Sequence, residues 1–179
     1  SLVGKDPAIN MIIDMGAERT NFFIIDQSVP VTHHSIETGG QKMNVILKNS
    51  LGVEDNVVEQ VKYDLSAYLN NGKNDITPDE FLQIFSPVIN PILKEIEVSL
   101  ELYLRQSANA GRRPEKIILT GGAALLPHLS TFIADKFQIK CYVGDPWART
   151  VYQNGLKPIL NQIGPRMAVA IGLALRSMV

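Results

Sequence analysis

Two segments of this sequence carry residues that could hold a phosphate chain and its magnesium ion. In the first, Asp14 ends an apolar run, small residues follow, and Thr20 opens a second apolar run. Backbone N–H groups at Gly16 and Ala17 could face phosphate oxygens, and the Thr20 hydroxyl could donate to another. Asp14 could orient Mg²⁺ through water, which suits a cation that keeps its hydration shell. The spacing D-x-G-x-x-x-T is short and common, so an ordinary hairpin with a polar turn is the simpler interpretation of this stretch alone.

The second segment is a strand that runs into Gly121, Gly122 and Ala123. A diglycine at a strand end lets a ligand approach the backbone closely. The helix predicted to begin near Pro127 would add its N-terminus, which favours an anion. Neither G-x-G-x-x-G nor G-x-x-x-x-G-K-[ST] occurs in the sequence, which argues against a dinucleotide-binding fold and a P-loop.

A third set of candidates consists of Glu59 and Lys62, which lie three residues apart on a predicted helix. A solvated ion pair is the simpler interpretation, and a pair that reaches the ribose and base of a ligand is the other.

The histidines are interpreted as surface or edge residues. His33 and His34 are adjacent on a predicted strand and point to opposite faces, so they cannot share a metal ion, and His128 stands alone at a helix start.

The periodicity of the apolar residues predicts a mixed α/β chain. In chain order the predicted elements are strands over Ile9–Met15, Phe22–Asp26 and Val29–Ile36, helices over Gln41–Leu51, Asp55–Leu69 and Thr77–Ser107, a strand over Lys116–Thr120, a helix over Pro127–Phe137, a strand over Ile139–Val143 and a last helix from Pro165. Thr77 and Glu80 predict a capping box. Pro87 and Pro91 predict a kink or a two-helix break near Ser86 to Asn90.

Composition is that of a soluble globular protein. Of the 179 residues 45% are hydrophobic and the formal net charge is −1, so charge supplies no attraction to nucleic acid or to an anionic membrane. Because Cys141 is the single cysteine, an internal disulfide is excluded. Its side chain is expected to be buried. The apolar run Met167 to Leu175 is too short to span a bilayer, and no signal peptide is visible. Trp147 is expected to pack within the fold rather than anchor a partner.

The element order and four motifs together resemble the ribonuclease-H-like lobe of the actin-like ATPases, a five-stranded mixed sheet with a small helical insertion. IIDMGAERT resembles the second phosphate motif of that superfamily, and IILTGGAALLPHL resembles its adenosine motif. VEQVK resembles the helix that grips ribose and adenine, and AVAIGLALR resembles the second helix that connects the lobes. Within the superfamily the sequence is similar to the PilM family of type IV pilus assembly proteins, which are related to FtsA. Glu18 and Arg19 depart from the glycine-rich turn of chaperones and sugar kinases, and Val58 replaces a common alanine.

The resemblance implies a role for each candidate. The chain would be the second of two lobes, with residues 1–52 and 111–179 forming its larger subdomain and residues 53–110 forming the helical insertion and its returning helix. Asp14 would position Mg²⁺ through water. The other contacts implied are Gly16, Ala17 and Thr20 to the phosphates, Glu59 and Lys62 to the ribose or base, and Gly121, Gly122 and Ala123 to the nucleoside and α-phosphate.

The resemblance also implies a cytoplasmic ATP-binding scaffold of pilus assembly with no catalytic residue in this lobe. The partner would be the cytoplasmic tail of the inner-membrane protein PilN, held by a lobe that precedes Ser1, and self-association is a further expectation. Nucleic-acid binding and direct membrane insertion are not expected. Because phosphate clamping needs donors from both lobes, this lobe alone should bind ATP weakly and show no ATPase activity. Two alternatives stay open: a sugar-kinase-like or acetate-kinase-like phosphotransferase lobe, and an actin-like scaffold that no longer binds nucleotide.

Overall fold

A five-stranded sheet flanked by helices forms the part of the chain that the computed structural model describes, residues 2–3, 6–54, 56–63, 77–106, 109 and 111–176. The strands are β1 (Asn10–Met15), β2 (Thr20–Asp26), β3 (Val29–Ile36), β4 (Lys116–Thr120) and β5 (Lys140–Val143). The helices are α1 (Gly40–Leu51), α2 (Val58–Tyr63), α3 (Pro78–Ile84), α4 (Ser86–Arg105), α5 (Leu129–Phe137) and α6 (Lys157–Arg176), with 3₁₀ turns at Gly122–Leu125 and Asn154–Leu156.

The sheet has the strand order β3-β2-β1-β4-β5. The first three strands pair antiparallel as a meander, whereas β4 pairs parallel with β1 and β5 pairs parallel with β4. Parallel pairing brings the C-terminal ends of β1 and β4 to one edge of the sheet, where open α/β sheets bind ligands. The prediction of a five-stranded mixed α/β sheet is confirmed.

One face of the sheet forms the core. Alternate residues of the three central strands are almost completely buried, namely Met11, Ile13, Met15, Phe22, Ile24, Ile117 and Leu119. They belong to one cluster with apolar side chains of α1, α4 and α5, including Met43, Leu47, Ile92, Ile96, Leu129 and Ile133. Burying each such side chain contributes about 1.5–3 kcal/mol. A one-residue slip of a strand would move its whole buried set to the other face, so this core fixes the register of β1 against β4.

The long helical segment after residue 76 is divided as its prolines predict. The capping box is present, with the Glu80 N–H donating to Thr77 Oγ1 at 3.3 Å and the Thr77 N–H donating to Glu80 Oε2 at 2.9 Å. The break lies at Phe85, one residue before the predicted interval. Pro87 occupies the first turn of α4, where a helix needs no donor. Pro91 lies inside α4 without ending it.

The helix that follows α1 is described only in part. Gly52 ends α1 as predicted, with φ 63° and its N–H donating to the Lys48 carbonyl at 2.9 Å. Of the helix predicted from Asp55 to Leu69, the structure describes Val58–Tyr63, and both ends of the prediction lie outside the described residues. Among the described helices, none combines the length and the hydropathy needed to cross a membrane.

The last helix is longer than predicted. The sequence predicted a start at Pro165, whereas α6 begins at Lys157 and contains Pro165 as an internal residue. An internal proline removes a donor and crowds the preceding turn. Trp147 supports that turn, since its indole Nε1 donates to the Leu160 carbonyl at 2.9 Å and lies 2.8 Å from where a Cβ on Gly164 would be. The predicted packing role of Trp147 is confirmed.

The predicted surface or edge positions of the histidines are confirmed. His33, on the edge strand β3, stacks on Phe23 with 4.6 Å between ring centroids. His34 points to the other face, where its Nδ1 lies 3.6 Å from Glu95 Oε1. His128 is exposed. Within the described residues, no group of three or more His, Cys, Asp or Glu side chains could hold a metal ion.

Candidate functional site

The turns that follow β1 and β4 meet in a cleft. The parallel register pairs Asp14 with Thr120, so the Asp14 carboxylate and the diglycine after Thr120 lie at the same edge of the sheet. A cavity of about 460 Å³ lies between them, which is within the range of small-molecule sites. Its lining comes from both turns and from two helices: Asp14, Gly16, Ala17, Gly40, Gln41, Asn44, Gly121, Gly122, Ala123, Arg166 and Val169.

The structure therefore brings the two predicted segments together. Asp14, Gly16 and Ala17 line one side of the cavity, and Gly121, Gly122 and Ala123 line the other. The two ends of this site are more than a hundred residues apart in the sequence. Their meeting follows from the parallel pairing of β1 with β4.

Thr20 has a different place from the one predicted. It is fully buried, and its Oγ1 donates to the Thr38 carbonyl at 2.6 Å. The hydroxyl thus fixes the segment between β3 and α1, and Thr20 is not among the residues that line the cavity. Glu59 and Lys62 lie on α2, but their side chains are outside the described part of the structure.

The β1–β2 turn is fastened to the start of α1. The Gly16 N–H donates to the Arg19 carbonyl at 2.9 Å, so this group, predicted to face a phosphate, is already engaged within the turn. The Gly40 N–H donates to the Gly16 carbonyl at 2.9 Å, and the Gln41 N–H donates to the Ala17 carbonyl at 2.8 Å. These carbonyls satisfy donors that a helix N-terminus leaves unpaired. The turn and α1 consequently form one wall of the cleft.

This wall requires a glycine at position 39. A Cβ on Gly39 would lie 2.5 Å from the Ala17 carbonyl oxygen and 2.6 Å from that of Gly16. The φ of Gly39 is −158°, which any residue adopts, so the requirement is purely steric.

Gly121 forms the floor of the cleft. Its φ of 85° and ψ of 166° lie in a region almost restricted to glycine. A Cβ there would lie 2.3 Å from the Met15 carbonyl oxygen and 2.8 Å from Asp14 Oδ1. The Gly121 N–H donates to the Pro165 carbonyl at 2.9 Å, and the same carbonyl accepts a hydrogen bond from Thr120 Oγ1 at 3.0 Å. The absent side chain is what lets the end of β4 lie directly against Asp14.

The diglycine leads into a 3₁₀ turn rather than into a long helix. The turn covers Gly122–Leu125, and α5 begins only at Leu129, after His128 in a left-handed conformation with φ 64°. α5 thus begins two residues after the predicted start near Pro127, because the chain turns once more before the helix can begin. No residue of the first turn of α5 is among those that line the cavity.

The electrostatics of the cleft depend on two side chains. Among its described lining residues, Asp14 is the only anion and Arg166 the only cation. Burial raises the pKa of Asp14 above its ordinary value, and a side-chain hydrogen bond with Asn21 partly offsets this rise. Arg166 projects from α6, with its Nε 3.2 Å from where a Cβ on Gly122 would be.

These residues fit a magnesium-bound phosphate chain. Mg²⁺ keeps most of its waters and uses one or two protein carboxylates together with phosphate oxygens, and Asp14 supplies one such carboxylate. The backbone of Gly121 and Gly122 lines the cavity beside this carboxylate, and Arg166 supplies a compensating positive charge. When bound, Mg²⁺ would neutralise charge on the phosphates.

Sequence reasoning missed five lining residues, namely Gly40, Gln41, Asn44, Arg166 and Val169. Gln41 and Asn44 share one face of α1, and Arg166 and Val169 share one face of α6, each pair three residues apart. The signal for Gln41 and Asn44 was the polarity of the first turns of the helix that follows Gly39 and Gly40. For Arg166 and Val169 the sequence offered no comparable signal, because their approach to the diglycine depends on how α6 packs against β4.

Comparison with known structures shows the actin-like fold. The PilM-PilN type IV pilus biogenesis complex matches with a TM-score of 0.73 and 23% identity, over 96% of this chain and 46% of that chain. MreB5 of Spiroplasma citri bound to ADP matches with a TM-score of 0.64 and 16% identity, over 94% and 53%. The ethanolamine utilization protein EutJ from Carboxydothermus hydrogenoformans matches with a TM-score of 0.56 and 17% identity, over 94% and 49%. The chain spans about half the length of these solved structures.

Comparison by sequence gives the family. No curated protein matches the sequence significantly. The family model for the type IV pilus assembly protein PilM matches residues 3–178. Since this match covers almost the whole sequence, the chain belongs to the PilM family of type IV pilus assembly proteins.

Proposed function

We propose that this chain is the second lobe of a cytoplasmic ATP-binding scaffold of type IV pilus assembly, with residues 53–110 as its helical insertion and returning helix. The observation that carries the nucleotide assignment is the contact of Gly121 with Asp14 at the adjoining ends of β4 and β1. A Cβ on Gly121 would lie 2.8 Å from Asp14 Oδ1, so a phosphate chain lying along the diglycine would be beside the carboxylate that positions its magnesium ion.

Seven of the nine candidate residues have a role in the binding of nucleotide in this proposal, while Gly16 and Gly121 shape the two turns that border the cleft. Asp14 holds Mg²⁺ through water, and the backbone of Ala17, Gly122 and Ala123 contacts the phosphate chain and the nucleoside. Glu59 and Lys62 on α2 contact the ribose or base. Thr20 acts indirectly, because its bond to the Thr38 carbonyl holds the segment that precedes α1.

Two relatives support the assignment. The solved structure of MreB5 of Spiroplasma citri, which shares the fold, contains ADP. The solved complex of PilM with PilN supports PilN as the partner of this protein. We propose that a lobe outside these residues binds the cytoplasmic tail of PilN and so recruits the protein to the inner membrane. Family membership disfavours the phosphotransferase alternative.

The cleft of this lobe is one wall of the proposed nucleotide site. The protein chain spans about half the length of the matched structures. Clamping the phosphates of a nucleotide needs hydrogen-bond donors on both sides of them. We therefore expect residues 1–179 alone to bind ATP weakly and to show no ATPase activity. The full-length protein is the form in which nucleotide binding is tested.

Calorimetric titration of the full-length protein with ATP and Mg²⁺ tests the proposal. Asp14→Ala should abolish the gain in affinity that Mg²⁺ gives, whereas Thr20→Ala should weaken binding by displacing α1. Asp135→Ala is the matched control, because Asp135 is exposed on α5 and does not line the cleft. A wild-type protein that binds neither ATP nor ADP would favour the scaffold that has lost nucleotide binding.

A second measurement tests the scaffold role. The affinity of the full-length protein for a peptide of the PilN cytoplasmic tail is measured with and without ATP and Mg²⁺. A nucleotide-dependent scaffold shows an affinity that changes with nucleotide, and Asp14→Ala removes this change while leaving the nucleotide-free affinity intact. Equal affinities under both conditions in the wild-type protein would contradict nucleotide control of the scaffold.

A further inference from the structure

Arg166 occupies a position in the cleft that the sequence motifs do not assign. It is exposed on α6, and its Nε lies 3.2 Å and its Cγ 3.5 Å from where a Cβ on Gly122 would be. The stem of this side chain therefore lies over the second glycine of the diglycine. A larger residue at position 122 would push Arg166 away from the cleft.

The backbone at the root of this side chain is held in place. The Pro165 carbonyl accepts hydrogen bonds from the Gly121 N–H at 2.9 Å and from Thr120 Oγ1 at 3.0 Å. Pro165 itself is buried. The Arg166 side chain thus starts from a backbone position that is fixed beside the cleft floor.

Charge indicates what Arg166 would bind. A phosphate chain in this cleft meets the negative Asp14 on one side, and Arg166 is the only cation among the described lining residues. Consecutive Cα atoms are about 3.8 Å apart, and Asp14 lies against Gly121 while Arg166 lies against Gly122. The two opposite charges consequently flank one dipeptide. A guanidinium offers a planar fork of donors that matches two oxygens of a phosphate.

We propose that Arg166 is a phosphate-binding residue of this cleft, contacting the nucleotide's phosphate chain from the α6 side while Asp14 holds the magnesium ion from the β1 side. This inference rests on the proposed nucleotide site. It adds a direct contact from the last helix to the bound phosphate. Two competing roles for Arg166 are stacking on the base and packing within α6.

Comparison of ADP with adenosine separates these roles, because only ADP carries phosphates. Affinities of the full-length wild-type protein, Arg166→Gln and Arg166→Lys are measured by calorimetry with Mg²⁺ present. Arg166→Gln should weaken ADP binding by roughly tenfold, as expected for a lost charge-assisted hydrogen bond. It should change adenosine binding by less than about twofold. Arg166→Lys should recover part of the ADP affinity, since it keeps the charge but loses the fork.

Arg176→Gln is the matched control, since it removes the same charge from the last turn of the same helix. The ADP affinity of the wild-type protein should also fall more steeply with salt than that of Arg166→Gln. Unchanged ADP binding in Arg166→Gln would overturn the inference, as would equal losses for ADP and adenosine. A wild-type protein that binds no ADP would overturn the proposed nucleotide site itself, a result distinct from either.

Discussion

Replacement of Gly121 by alanine is the most direct test of the cleft geometry. Two effects act together at this position. The conformation at φ 85° and ψ 166° strains any residue with a Cβ, and the added Cβ would lie 2.3 Å from the Met15 carbonyl oxygen. That oxygen belongs to the central strand β1, whose register is fixed by the core, so the backbone cannot move aside without disturbing the sheet.

The magnitude follows from the two effects. A strained backbone conformation of this kind costs about 1–3 kcal/mol, and overpacking against well-packed atoms costs about 1–3 kcal/mol more. We expect Gly121→Ala to lower the free energy of unfolding by about 4 kcal/mol, the middle of the summed range. Asp14 would also be displaced, since Asp14 Oδ1 lies 2.8 Å from the added Cβ.

Two control substitutions isolate the two effects. Gly52→Ala introduces strain alone, because Gly52 has φ 63° and no atom lies within 4 Å of its Cβ position. It should cost about 1–2 kcal/mol. Gly39→Ala introduces a clash alone, because the φ of Gly39 is extended and its Cβ would lie 2.5 Å from the Ala17 carbonyl oxygen. It should cost about 1–3 kcal/mol.

The assay is urea unfolding followed by circular dichroism, with the free energy extrapolated to water. Gly121→Ala should lose more stability than either control and should also abolish nucleotide binding. The reasoning is refuted if Gly121→Ala is no less stable than Gly52→Ala, because the contact with β1 would then carry no steric cost.

Three further predictions concern single side chains. Asp14→Asn should unfold at higher urea than wild type at neutral pH, because burial raises the folded-state pKa of Asp14 above its unfolded value near 3.8 and the ionised form therefore costs stability. The gain in stability of Asp14→Asn should shrink as the pH falls from the folded-state pKa of Asp14 to the unfolded value near 3.8. A gain that stays undiminished below the unfolded value would contradict a raised pKa of Asp14. Thr20→Val should cost about 1–3 kcal/mol by leaving the Thr38 carbonyl without its donor, whereas Thr20→Ser should retain most stability in the same urea assay. Burial raises the pKa of the Cys141 thiol to about 12, so alkylation by iodoacetamide at pH 8 should be at least about tenfold slower in the native than in the unfolded protein; equal rates would refute the burial argument.

The parts of the fold that the sequence predicted are those set by local patterns. Two apolar runs interrupted by small and polar residues gave the β1–β2 hairpin, and the capping box at Thr77 and Glu80 gave the start of α3. Asp14 and Gly121 were both identified as site residues because each stands at a strand end beside glycine. Local chemistry of this kind is visible in a window of a few residues.

The remainder depends on contacts between distant segments. The sequence predicts a helix start at Pro165 because a proline usually begins or breaks a helix, but Trp147 supports the turn before it and the helix continues. Thr20 was assigned to phosphate because its hydroxyl stands near a turn, but the return of the chain after β3 brings the Thr38 carbonyl to it. The place of Arg166 in the cleft likewise depends on how α6, which is distant from β4 in the sequence, docks on that strand.

The hydrogen bonds accepted by the Pro165 carbonyl make the floor of the cleft and the last helix parts of one mechanical unit. From Pro165 to Arg176 the helix rises about 1.5 Å per residue, so its far end lies about 17 Å away. A tilt of about 5° at Pro165 would displace that end by about 1.5 Å, judged from the same rise. A shift of Gly121 that tilted this part of the helix through the Pro165 carbonyl would therefore be larger at Arg176 than at Pro165.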